Sequence, residues 1–383
     1  MTKPGIDAVV TLVSLDTPDR ERIDAVRQVS VDHVVDLAIQ HGVASIVAKR
    51  LASLGVDLPP RSTRNLERLS CTRVALRLHV EHTLATLVDL LDVPFLVVKG
   101  PVIAERWFAD PADREYGDLD VLVGRDDFRT VVDTLEAGGF TTPLANWHGW
   151  LEMGIAEMPL QLACTTVDLH WHLIAVAADR SGLRLPMDDM FERRVATTVG
   201  AASVPIETLD PEDTFLHVCT GIAVGGARRL RNLVDVDRAL RDPDLDTGVF
   251  VERARAAGVG RLVAPVFDRC DRLLHTPGAT ALGDQFSDHR LWRAANGWID
   301  RSRTTDGALR GFALSAGRSS VPATAAALVR SVGRSTVTRL GAVSPTAVEG
   351  RLHWQRRPED GDVEGARRLY LDWVDGNLSG DAG

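Results

Sequence analysis

Residues 99–123 read KGPVIAERWFADPADREYGDLDVLV. The run Phe95-Leu96-Val97-Val98 that leads into them is short, apolar and stopped by turn chemistry, the mark of a buried strand. Gly100 and Pro101 then turn the chain. Proline suits the first position of a helix over 102–108, where its missing N–H leaves nothing unpaired. A strand, a glycine turn and a helix start together offer free N–H groups and a positive dipole end to an anion. The far end of the stretch has a different texture. In Asp118-Leu119-Asp120-Val121-Leu122-Val123 the period is two, so Leu119, Val121 and Val123 face a core while Asp118 and Asp120 share the other face. Two carboxylates about 6.6 Å apart along a strand can lean onto one divalent cation. Packing does not account for two acids at the head of an apolar strand, because burying unpaired charge is costly.

Working outward, 126–137 reads as a helix closed by Gly138-Gly139, and Phe140-Thr141-Thr142 as the start of a further strand. Residues 147–158 fit either a strand or a short helix. Residues 159–163 and 165–173 read as a hairpin. Its second strand carries Val167, Leu169, Trp171 and Leu173 on one face and Asp168, His170 and His172 on the other. Upstream, 20–92 is helical in pattern, interrupted by Asp57-Leu58-Pro59-Pro60 and ending in a long amphipathic run over 66–91. Downstream, Asp210-Pro211-Glu212-Asp213 signals a helix start, and helices are expected over 215–224, 230–240, 249–257 and 262–274. The expected class is α+β, a mixed β-sheet domain over 93–208 flanked by an N-terminal helical region over 1–92 and a C-terminal one over 209–383. Seven arginines against one acid, Asp306, mark 301–340, and a last helix is expected over 364–374.

Composition narrows the function classes. A chain of 383 residues is too long for one ordinary core. No run of about 18 apolar residues offers a membrane span. The N-terminus is acidic early and carries no small-residue cleavage site after an apolar core, so no signal peptide is read there. Cys71, Cys164, Cys219 and Cys270 form no CxxC pair and read as reduced, mostly buried thiols of a cytoplasmic protein. The net charge of −9 disfavours a general nucleic-acid binder.

Asp168 lends Asp118 and Asp120 their meaning. Three carboxylates on neighbouring strands near a glycine turn suit phosphate chemistry with Mg²⁺, in which two ions about 3.5–4 Å apart clamp an in-line displacement. At this point the chain resembles a family. Lys99, Gly100, Ala104, Phe108, Asp110, Pro111, Arg114, Asp118, Asp120 and Val123, followed by Asp168, His170 and Trp171, are similar to the signature of uncharacterised bacterial nucleotidyltransferases of the polymerase-beta superfamily. Looser similarity covers Leu37-Ala38 through His41-Gly42-Val43 and the later run from Leu230 to Val236, so the resemblance spans roughly residues 30–275. Where the wider superfamily has a Gly-Ser turn, this chain has Lys99-Gly100, a cation in place of a hydroxyl.

The resemblance implies a nucleotidyltransferase-type sheet and a role for each matching residue. Asp118 and Asp120 would bind Mg²⁺ or Mn²⁺, and Asp168 would complete the metal site on the acceptor side and take the acceptor's proton. Lys99 and the Gly100 N–H would hold the β- and γ-phosphates of an NTP such as ATP, with Arg114 and His170 as further contacts. Arg114 has two open readings, a phosphate contact or a structural salt bridge, for instance with Asp118. The implied reaction moves a nucleoside monophosphate from NTP to a hydroxyl or other nucleophile and releases pyrophosphate. The acceptor is expected to be a small molecule or peptide, with no membrane partner. Two other classes stand beside this one. A catalytically silent nucleotide-binding or interaction protein would keep the fold alone. A metal-dependent hydrolase would use Asp168, His170 and His172 as a zinc-like set.

Overall fold

The computed structural model describes residues 4–144, 146–286 and 362–376, together with residues 294, 317, 324 and 325. The arginine-rich segment 301–340 therefore lies outside the described residues at every arginine. The chain opens with five helices, α1 (Pro4–Val13), α2 (Asp19–Arg27), α3 (Val31–His41), α4 (Ala44–Ser53) and α5 (Pro60–Leu90). The next elements are β1 (Phe95–Val97), α6 (Pro101–Trp107), β2 (Asp118–Val123), α7 (Phe128–Ala137), α8 (Trp147–Glu152), β3 (Glu157–Leu162) and β4 (Thr165–His170). Two short helices, α9 (Ala177–Arg180) and α10 (Met187–Glu192), precede β5 (Val195–Val199) and β6 (Val204–Thr208). Helices α11 (Pro211–Val224), α12 (Leu230–Ala239), α13 (Thr247–Ala256), α14 (Gly260–Leu274) and α15 (Ala279–Asp284) follow, and α16 (Val363–Val374) lies last. The fold is mixed α+β. Among the described residues no helix is long and apolar enough to cross a membrane.

The chain divides into two compact units, with the division falling inside α5. The first comprises Met1–Ala75, Gly100–Tyr116 and Pro211–Ser319. In it α1 packs on α3 and α4, while α11, α12 and α13 pack around α14. Phe215 anchors the second group, its ring 4.7 Å from Phe250 and 6.0 Å from Phe267. Polar ties join segments far apart in sequence. The Leu230 N–H donates to His41 Nδ1 at 3.2 Å, and Arg231 donates to the Glu115 carbonyl at 3.0 Å. The Glu115 carboxylate in turn accepts from the Ala44 N–H at 3.0 Å and pairs with Arg73. These ties join the His41-Gly42-Val43 and Leu230–Val236 runs to the middle of the 99–123 stretch.

The second unit comprises Leu76–Lys99, Gly117–Asp210 and Ser320–Gly383. Its sheet has the order β1-β2-β4-β3. β1 is antiparallel to β2, β2 parallel to β4, and β4 antiparallel to β3. Central β2 is buried along its whole length except at exposed Asp118. Leu119, Val121, Val167, Leu169, Met158 and Leu160 are fully buried, as the two-residue period requires. A second hairpin, β5–β6, packs by β1, where Thr208 Oγ1 donates to the Val97 carbonyl at 2.6 Å. Helix α16 covers α8 and α7.

Several expectations shift in detail. Residues 147–158 divide, Trp147–Glu152 becoming helix and Glu157 opening β3. β4 ends at His170, three residues short of the expected 173. Thr141 makes only an isolated bridge to Gln161. All four cysteines are free thiols, but only Cys219 and Cys270 are buried, while Cys71 and Cys164 are exposed.

Candidate active site

The strand registers assemble the site. On adjacent parallel strands Asp120 stands opposite Asp168, Asp118 opposite Thr166 and Leu122 opposite His170. Opposed residues share a sheet face, so Asp118, Asp120, Asp168 and His170 rise from the same side. Antiparallel β3 adds Glu157, which stands opposite His170. A patch of four carboxylates and one imidazole thus lies across three strands.

Its centre is Asp120, 7% exposed. Lys99 Nζ donates to Asp120 Oδ1 at 3.2 Å, and His170 Nε2 lies 3.3 Å from the same oxygen. His170 Nδ1 lies 3.6 Å from Glu157 Oε2, which gives a chain Lys99–Asp120–His170–Glu157. Burial opposes protonation of His170 and of Lys99. The Asp120 hydrogen bond with the Glu157 and Asp120 charges overcomes it at His170, and the Asp120 charge overcomes it at Lys99, so both pKa values are raised. At Asp168 the His170 charge favours the carboxylate but is outweighed. Burial, and then the Asp120 charge, push its carboxyl up to about 7. Asp120 is thus already neutralised by side chains, whereas Asp168 carries excess negative potential. Among the described residues no group of three His, Cys, Asp or Glu side chains stands arranged to hold a metal ion.

Gly100 follows Lys99 with φ 54° and ψ −111°, a conformation that a side chain resists, and Pro101 opens α6 behind it. Arg114 is engaged by a carboxylate other than Asp118. Its Nε and one terminal nitrogen donate to the two oxygens of Asp235 at 3.2 and 3.1 Å, a bidentate pair in which both side chains are buried. Arg114 is thus held in a structural salt bridge, with Asp235 of the Leu230–Val236 run as partner. Asp110, in the same signature, accepts from the Ala112 N–H at 2.9 Å and from Lys49 at 2.5 Å.

His172 stands apart from the strand alternation. Its Nδ1 accepts the Ile174 N–H at 3.0 Å, and burial with the Arg180 charge lowers its pKa to about 4. β4 ends at His170, so His172 lies beyond the strand in which it would have shared a face with Asp168. Glu157 is the site residue that the sequence reading missed. Its signal was the hairpin register, since Glu157, Pro159 and Gln161 alternate with buried Met158 and Leu160.

A lysine–glycine turn leading from one strand, and acids in register on two others, define this mixed-sheet unit. The sequence matches the family of uncharacterised nucleotidyltransferases over residues 27–275, well over half of the chain, and the protein belongs to that family. No curated protein and no solved structure matches it. The match takes in α3 to α14 and leaves α1 and α16 outside.

Proposed function

We propose that this protein is a metal-dependent nucleotidyltransferase of the polymerase-beta type, moving an NMP from an Mg²⁺-bound NTP to a small-molecule or peptide acceptor. The supporting observation is the register that sets Asp120 directly against Asp168 with Asp118 two residues away on the same face. The donor chemistry suits a hard divalent cation, because carboxylate oxygens are its preferred ligands. The three side chains would have to turn inward to hold it, with substrate phosphates and water completing the shell. The excess negative potential at Asp168 is what such a cation would relieve. Asp118, Asp120 and Asp168 would hold the ion, which would neutralise phosphate charge and acidify an acceptor hydroxyl.

The remaining work falls to the chain itself. Lys99 and the Gly100 N–H would hold the β- and γ-phosphates. His170 and Glu157 keep Asp120 oriented. Asp168 accepts the acceptor proton at its carboxylate. Positioning and charge neutralisation carry most of the rate, as in phosphoryl transfer generally.

Calorimetric titration of Mg²⁺·ATP and the other Mg²⁺·NTPs tests this reading. One nucleotide is expected to bind saturably to wild type, with Lys99→Ala weakening it most. Asp168→Asn is expected to keep most of the affinity while losing transfer. Equal affinity in wild type, Lys99→Ala and Asp120→Asn would overturn the assignment. The silent-protein reading draws on the engaged state of Asp120. It would hold if nucleotide bound and no variant or acceptor extract ever gave turnover.

A further inference from the structure

Apart from the carboxylate face, the first unit holds a cavity of about 630 Å³, within the range of small-molecule sites. Leu15, Ile46, Trp107, Phe108 and Pro243 supply its apolar wall. Leu15 is 42% exposed, unusual for a large apolar side chain in this chain. Five cations also line it, Lys49, Arg50, Arg106, Arg238 and Arg241, against the acids Asp113 and Asp242.

Most of these charges are already used. Lys49 bonds Asp110 at 2.5 Å and Asp113 at 2.7 Å. Arg238 pairs with Asp237 and donates to the Val13 carbonyl at 3.1 Å. Arg241 bonds Asp16 at 2.5 Å and Asp237 at 3.3 Å. Arg106 donates to the Thr214 hydroxyl at 2.8 Å, and Asp242 accepts from the Asp244 N–H at 3.0 Å. Arg50 differs, since among the described residues its guanidinium makes no hydrogen bond and no ion pair. Burial and the neighbouring Arg22 charge lower its pKa, and the Asp19 charge does not make up the difference.

We propose that this cavity binds a small organic oxyanion, a phosphate or carboxylate carried on an apolar body, with Arg50 as the partner of the anion. The planar guanidinium fork matches either group, and charge-assisted bonds of this kind are the strong ones. The apolar wall removes the body of the ligand from water. The site stands independently of the transferase reading, because every residue lining it belongs to the first unit.

The test is calorimetric titration of phenyl phosphate and of benzoate into the full-length protein, with phenol and inorganic phosphate as the two separate halves. Saturable binding is expected for at least one of the aryl anions, and the tighter of the two assigns the oxyanion. Phenol and inorganic phosphate should each bind at least tenfold more weakly, and Arg50→Gln should lose at least tenfold. Arg50→Lys should fall between, since it keeps the charge and loses the fork. Ile46→Trp, which fills the cavity and keeps the Arg50 charge, should abolish binding. The proposal is overturned if neither aryl anion saturates below about 10 mM. It is equally overturned if Arg50→Gln and Ile46→Trp bind as wild type does, or if inorganic phosphate binds as tightly as phenyl phosphate.

Discussion

Asp168 sits directly across from Asp120, yet the two carboxylates have different fates. Lys99 and His170 face Asp120, while burial and the Asp120 charge raise Asp168 to about 7. A carboxyl raised on folding binds a proton in the native state that the unfolded chain has released. Stability contributed by Asp168 is therefore full below the unfolded value near 4 and falls as pH rises to about 7. The slope is at most about 1.4 kcal/mol per pH unit. In protein stripped with EDTA, Asp168→Asn is expected to match wild type near pH 4 and to become the more stable of the two by pH 8, as read by urea unfolding at each pH. Mg²⁺ should shrink that gap. Arg114 poses the opposite case, a buried pair with Asp235 whose loss strands a charge. Arg114→Ala is expected to cost about 3–5 kcal/mol, measured by the same unfolding, and Asp235→Ala a comparable amount. At this scale the alternation of Asp118 and Asp120 was legible because a strand period is two. The partner of Arg114 was not, because it lies 121 residues further along the chain.

Elements whose local and tertiary signals agree were the readable ones. β2 begins and ends where its alternation does, and α11, α12, α13 and α14 fall within a few residues of their apolar periods. Helix α1 went unread although Ile6, Val9, Leu12 and Val13 are buried, because ten residues beginning at Pro4 carry fewer than about three turns of pattern before Asp16 and Pro18 break it. The β5–β6 hairpin went unread for another reason. β5 alternates exposed and half-buried positions up to Val199, so it shows little of the apolar face that marks a strand. The Lys99-Gly100 turn was legible as a turn, but its backbone was not. At φ 54° and ψ −111° an alanine would be strained, so Gly100→Ala is expected to cost about 1–3 kcal/mol in a thermal-unfolding comparison. Wild-type stability in that variant would mean that the turn relaxes freely.

Across the molecule the family signature serves two ends. Its part in the second unit builds the carboxylate face, whereas Asp110, Arg114 and Asp235 in the first unit tie helices and turns together. Sequence alone could not separate the two ends, because Asp110 and Arg114 lie in the same 25-residue stretch as Asp118 and Asp120. Helix α16 lies beyond the family match yet belongs to the second unit. Its Tyr370 is fully buried and donates to the Ile155 carbonyl at 3.0 Å, and its Trp373 ring lies 5.6 Å from Trp171, the residue after His170. Tyr370→Ala is expected to lower stability by about 3–5 kcal/mol, seen as a fall in Tm, although the residue lies outside the family match. The most direct test of the function is label transfer. Wild type and Asp120→Asn are each incubated with α-phosphate-labelled NTPs, Mg²⁺ and extract of the native cell, and products are resolved by mass spectrometry. Wild type is expected to place the labelled NMP on one acceptor and release pyrophosphate, with Asp120→Asn folded and inert. Equal labelling by Asp120→Asn would contradict catalysis by the carboxylate face.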